Sequence, residues 1–274
     1  MDFALAPLLT IAGKECRDRI RNRWVLVVAI LFALFALVIA WFGPAQQGTV
    51  GFRGIEPTIA SLTSLVIYLL PLIALILGFD VVVGERERGS LDLLLSMPIT
   101  RTELILGKYL GLATALTAAT VAGFGVAGIA LAPFFDLYAL WHYAGFVASS
   151  LLLGLSFLSL AVLVSVCSRD RASASGVAIA LWFLFVLVFD LVLLGVMVLA
   201  SGEGGTGAFV IALFLNPTDV FRILNVFSSS ELKAFYGLAT VLPDTLTHPA
   251  LLGGVMLAWI AVPLALAVWR FKRP

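Results

Sequence analysis

Charge is what this sequence has least of. Seventeen Lys and Arg with 16 Asp and Glu make up 12% of 274 residues, about half the ~25% of an ordinary soluble domain. So few charges cannot cover a soluble surface of this size. Disorder needs low hydrophobicity and high net charge, and here 62% of residues are hydrophobic and the formal net charge is +1. The same near-neutrality gives no footing for nucleic acid. Cysteine and histidine are nearly absent. Cys16 and Cys167 make no disulfide framework, and with His142 and His248 they are too few for a metal site. No Gly-x-Ser-x-Gly or His-Glu-x-x-His occurs, which argues against an intramembrane hydrolase. A phosphate-binding loop is also missing. Gly13-Lys14 and Gly107-Lys108 are followed by Glu15 and Tyr109 and lack the upstream glycine. The chain therefore reads as a non-enzyme with no cofactor of its own.

What is there is apolar sequence in long runs. Crossing ~30 Å of hydrocarbon takes roughly 20 residues of helix. Six stretches qualify: 24–42, 58–83, 108–132, 144–167, 176–200 and 249–269. They are too long and too evenly apolar for barrel strands. The first is too long for a signal-peptide core and has no Ala-x-Ala type site after it. The expected fold is all-α: one polytopic transmembrane domain over 1–274 with six transmembrane helices.

Basic residues orient it. Fourteen of 17 Lys and Arg flank the N-terminus, the second and fourth connections, and the C-terminus, leaving Arg53, Arg222 and Lys233 on the other side. The positive-inside rule then puts both termini in the cytoplasm of a multi-pass protein of the bacterial inner membrane. Residues 5–23 read as an amphipathic helix with a basic end, suited to enforcing topology or to lying against membrane lipid. Residues 201–248 read as an ordered periplasmic lobe. In it Asn216, Pro217 and Asp219 start a helix carrying Phe221 on its apolar side, and Ser228-x-x-Glu231 starts a second that runs to about Leu242.

The most informative segment is the cytosolic loop 84–107. After the charged exit Glu85-Arg86-Glu87-Arg88, Ser90 caps a short helix carrying Leu91, Leu93, Leu94, Leu95 and Met97. Pro98 stops it, and Thr100-Arg101-Thr102-Glu103 is a capping box that launches the third span. A cytosolic helix with that many leucines needs a groove to sit in. It reads as a coupling helix plugged into a soluble motor.

The pattern Gly-Glu-Arg-Glu-x-Gly-Ser-Leu-x-x-Leu-Leu-Ser-x-Pro-Ile-x-Arg-x-Glu-Leu-x-x-Gly-Lys resembles that of ABC-2 type transporter permeases. Lys14-Glu15, Asn216-Pro217-x-Asp219 and Phe221-Arg222 fit as well. The resemblance implies the ABC-2 permease fold, a homodimer, and a cytosolic ABC ATPase dimer that holds the ATP and Mg. It implies ATPase contacts through Glu85–Arg101 and through a second loop containing Arg169 and Arg171. Within the family the likeness is greatest to the branch serving maturation of nitrous oxide reductase. That branch adds a periplasmic copper-delivery subunit, which 216–222 would face, and it relays motion for copper-site assembly. An ABC-2 exporter of a lipid, drug or glycan is the alternative. An ion-coupled carrier would need several buried ionisable groups and internal repeats.

Asp190 lies deep in the fifth run, where a carboxylate costs roughly 2.5–3.5 kcal/mol on translocon scales. No Lys, Arg or His lies within a span to pair with it. A hydrogen-bonded helix contact is favoured over a substrate or proton site. Asp80, one turn from the inner border, is expected to pair with Arg86 or Arg88. Gly111, Ala115, Ala119, Gly123 and Ala127 form a small-residue stripe that fits either packing within the chain or a dimer seam. The spans carry no ladder of Cys, His or Met, so this chain is not expected to conduct copper.

Overall fold

The computed structural model describes residues 5–42, 55–134, 136–199, 212–226 and 248–273. The expected second helix of the outer lobe and the Gly-rich 201–207 segment lie outside them. All regular structure among the described residues is helical. In chain order the helices are α1 Leu5–Arg21, α2 Trp24–Phe42, α3 Ile55–Gly78, α4 Val83–Glu87, α5 Ser90–Leu95, α6 Arg101–Leu131, α7 Leu137–Cys167, α8 Arg171–Phe183, α9 Phe189–Leu199, α10 Pro217–Val226 and α11 Pro249–Lys272. Six stretches are long and apolar enough to cross a membrane: Trp24–Phe42, Thr58–Glu87, Arg101–Phe134, Leu137–Cys167, Arg171–Leu193 and Pro249–Lys272.

Local chemistry sets the starts. The Thr100 hydroxyl accepts from the Glu103 amide at 3.2 Å, and the Glu103 carboxylate accepts from the Thr100 amide at 2.7 Å. The reciprocal box launches α6 as the sequence predicts. Asp136 and Asp170 cap α7 and α8 in the same manner, each accepting an amide at 2.7 Å. α5 differs in detail: Gly89, at φ 69, is its cap, and the Ser90 hydroxyl turns back to the Glu85 carbonyl at 3.3 Å. A left-handed cap is cheap only for glycine.

Two groups of helices make the bundle. α6 packs along α1 and α2, and α7 packs between α3 and α11. Close approach depends on glycine. A Cβ on Gly111 would sit 2.6 Å from the Ala12 carbonyl oxygen of α1, and one on Gly123 would sit 2.7 Å from the Ala29 carbonyl oxygen of α2. The small-residue stripe therefore packs within the chain. Phe124 stacks on Phe32 of α2 at 5.0 Å within the first group and meets Phe146 of α7 edge-on at 5.3 Å between the groups, the geometries that the ring quadrupole favours.

Candidate functional site

Fourteen of the basic residues gather at one end of the bundle, where the charged loop 84–107 is fastened to its neighbours at three points. First, the Lys108 ammonium at the start of the third span donates to Glu15 of α1 at 2.7 Å and to Glu85 of α4 at 2.6 Å. All three side chains are buried, so the lysine needs both acids and the acids need the lysine. Second, the Arg86 guanidinium donates to the Ser168 carbonyl at 2.7 Å, and the Glu87 carboxylate accepts the Arg171 amide at 2.7 Å. The Ser165 hydroxyl receives the amides of Val82 and Val83 at 2.9 and 3.1 Å, satisfying donors that a helix start leaves free. Third, Arg101 donates to the carbonyls of Phe271 and Lys272 at 3.0 and 3.3 Å, capping the C-terminus of α11.

Asp80 does not pair with Arg86 or Arg88. It binds Arg171 at 2.5 Å, with Arg19 at 3.8 Å. The reason is geometric: α4 turns Arg86 toward the end of α7, and the start of α8 delivers Arg171 to Asp80 instead.

The sequence-selected contacts thus divide. Glu85, Arg86, Glu87, Arg101 and Arg171 act as internal fasteners. Leu91 is buried, and Leu94 and Leu95 pack against the core. Leu93 is 65% exposed and Met97 48%, one turn apart on the free side of α5. Pro98, Arg88 and Arg169 are exposed as well. Neither arginine has a hydrogen bond or ion pair among the described residues. A cavity of about 470 Å³, lined in part by Arg19, Asp80, Arg88 and Leu93, opens between α1 and this loop.

A second polar cluster lies inside the bundle. α8 and α9 are joined by a π-helical turn, Leu184–Val188. A π turn breaks the regular ladder, and here the Phe185 carbonyl accepts from Asn216 Nδ2 at 2.9 Å and from the Thr218 hydroxyl at 3.1 Å. One helical turn further, the Arg222 guanidinium grips Asp190 with two bonds of 3.1 and 3.0 Å and reaches Asp219 at 2.8 Å. Asp190 therefore does have a cationic partner. It comes from α10, outside the six apolar runs, which is why a search within the spans misses it.

α10 packs into the bundle. Asn216, Thr218, Asp219, Val220 and Phe221 are buried, and Ser149 of α7 bonds Asn225 at 3.0 Å. α10 is seated among α3, α7 and α11. Asn216 does cap it, accepting the Thr218 amide at 3.0 Å, with Pro217 as the first residue.

Among the described residues no group of three or more His, Cys, Asp and Glu could hold a metal ion. Glu15, Lys108, Ser165 and Thr218 are the site residues that sequence reasoning did not single out for their partners. A lysine at the very start of an apolar run, Lys108, is the signal available in the sequence.

A six-span helical bundle with a charged loop bolted to one end is the build of a transporter's membrane subunit. The chain belongs to the ABC-2 family transporter proteins, whose family model matches residues 9–274. It is 43% identical over 267 residues to a "Probable ABC transporter permease protein NosY" of Stutzerimonas stutzeri, covering 96% of this chain and 97% of that one. It is 44% identical over 268 residues to the protein of the same description from Pseudomonas aeruginosa, covering 96% and 97%. The chain is a permease subunit, a non-catalytic membrane component of an ABC transporter, and such a permease works with an ATPase partner.

Proposed function

We propose that two copies of this chain span the bacterial inner membrane with both termini cytoplasmic and carry a cytosolic ABC ATPase dimer on α5. ATP and Mg bind in that partner. The permease relays its motion to a periplasmic copper-delivery subunit for copper-site assembly of nitrous oxide reductase. The observation that carries this reading is the exposed Leu93 and Met97 on a short helix whose surrounding loop is fastened to α1, to the α7–α8 connection and to α11. A push on α5 is transmitted to all of them, because close-packed, hydrogen-bonded elements move together rather than deform. At the other end, Asp190 and Arg222 join α10 to the fifth span, so motion of that span reaches the outer segment. The same pair supports the homodimer. Both side chains are 37% exposed in one chain on an otherwise apolar helix face, and an ion pair does not face hydrocarbon uncovered.

The experiment is affinity purification of the tagged chain in mild detergent, with mass spectrometry of its partners. An ATPase and a periplasmic copper-delivery protein are expected together. Recovery of the ATPase alone, with ATP-driven movement of a lipid, drug or glycan, would replace the relay by an exporter.

A further inference from the structure

Six basic side chains at the charged end hold a defined acceptor, and others, Arg88 and Arg169 among them, do not among the described residues. Lys108, Arg19, Arg86, Arg101 and Arg171 are all engaged as described, and Lys14 pairs with Asp18 at 3.6 Å. Arg17, Arg21 and Arg23 are different. All three are exposed, and no guanidinium among them has a hydrogen bond or ion pair with the described residues. Among the described residues the acids of α1 and the one beside it are taken: Glu15 is held by Lys108, Asp18 by Lys14, and Asp80 by Arg171 and Arg19. Arg17 and Arg21 are one turn apart at the end of α1. Arg23 follows in the link, at φ 55, a left-handed conformation in which a non-glycine residue carries strain. It joins α1 to α2, and the two helices follow α6 in the same direction, Ala12 lying at Gly111 and Ala29 at Gly123. Directly beyond this crown the surface is apolar: Ile20, Leu26, Val27, Ile30 and Leu34 are all more than half exposed.

Three adjacent guanidiniums with no counter-charge repel one another and favour an anion with several oxygens. Arginine binds phosphate through two parallel bonds. An apolar stripe running away from such a crown, along a helix that crosses the membrane, fits acyl chains. We propose that the α1–α2 junction binds an anionic phospholipid of the inner leaflet. Arg17, Arg21 and Arg23 hold its headgroup phosphate, and its chains lie along Leu26, Ile30 and Leu34. The proposal rests on the topology given under Proposed function. It also assigns α1 a second face: the side with Leu8 and Glu15 packs on α6, and the side with Leu5, Leu9 and Ile20 meets the bilayer.

The test uses the intact complex in nanodiscs of phosphatidylcholine containing one-fifth phosphatidylglycerol. Trp24, next to Arg23, reports the site through fluorescence quenching by brominated lipid, taken as the difference from Trp24→Phe. Brominated phosphatidylglycerol should quench several-fold more than brominated phosphatidylcholine at equal mole fraction, with the preference fading in high salt. In Arg17→Gln/Arg21→Gln/Arg23→Gln the preference should disappear, and in Arg270→Gln/Lys272→Gln it should persist. Equal quenching by the two lipids in the unmodified complex overturns the proposal without any variant, as does loss of preference in both variants. Topology is read separately. With Cys16→Ser, exposed Cys167 should react with an impermeant thiol reagent in inside-out vesicles and not in spheroplasts. The reverse pattern overturns the topology and the inner-leaflet site together, whereas the expected pattern with equal quenching overturns the lipid site alone.

Discussion

Lys108→Met removes the cation between two buried carboxylates. The two oxygens lie 2.7 and 2.6 Å from one nitrogen, so they are at most about 5.3 Å apart, and at an effective dielectric of ~20 two such charges repel by about 3 kcal/mol. Breaking a buried pair by deleting one partner costs about 3–5 kcal/mol, and the geometry here agrees with that range. Thermal unfolding of the purified chain in mild detergent should show a midpoint lower by about 10 °C. Adding Glu15→Gln to Lys108→Met removes the repulsion and should recover more than half of the loss, whereas Glu15→Gln alone should be mildly destabilising. Lys108→Arg should fall between wild type and Met, because the guanidinium keeps the charge but not the compact fit. A Lys108→Met chain that melts within about 2 °C of wild type would refute a functioning buried triad. A double variant no more stable than the single one would refute repulsion as the mechanism.

Leu93→Asp should leave the permease folded, since that side chain is exposed, yet abolish co-purification of the ATPase; an intact complex with normal ATP turnover would remove α5 from the coupling role. Leu91→Asp, by contrast, places a charge in the core and should lower expression of the permease itself, which quantitative blotting of membranes reads. Arg222→Met should destabilise by about 3–5 kcal/mol because it strands Asp190 and Asp219 together. Asp190→Asn should cost clearly less and leave the complex active, since Arg222 keeps Asp219; equal effects of the two in detergent unfolding would contradict the shared-arginine geometry. Proteoliposomes holding the complex should show no ATP-dependent copper uptake that requires this chain, and uptake of that kind measured by elemental analysis would sink the relay reading.

Much of this molecule is legible before folding because lipid imposes one simple rule. A span must be long, helical and apolar, so six such runs in the chain reappear as six such helices. The capping box at Thr100 and Glu103 is equally local, and it appears in the structure as written in the chain. What the chain does not display is which charges meet. Glu15 and Lys108 are 93 positions apart, and nothing in the spacing of either pairs them. Asp190 looked unpartnered because Arg222 belongs to a segment outside the apolar runs. Only the fold shows that this segment re-enters the bundle. Asp80 illustrates the converse error. Proximity in sequence points to Arg86 or Arg88, while helix direction sends Arg86 elsewhere and brings Arg171 from another connection. The leucines of α5 were legible as a set, but which of them stay exposed depends on how the helix rolls against the core.

The contact of α1 and α2 with α6 has a consequence for biosynthesis. Gly111 and Gly123 form the groove in which both N-terminal helices rest, and Lys108 is the counter-ion of Glu15. None of these exists until the third span has been made. The first forty residues therefore leave the ribosome with their own partners still unsynthesised, Glu15 without its lysine and Phe32 without Phe124. A chain stopped before position 107 holds α1 and α2 without the α6 that both pack along, so they are among the last parts that can settle into place.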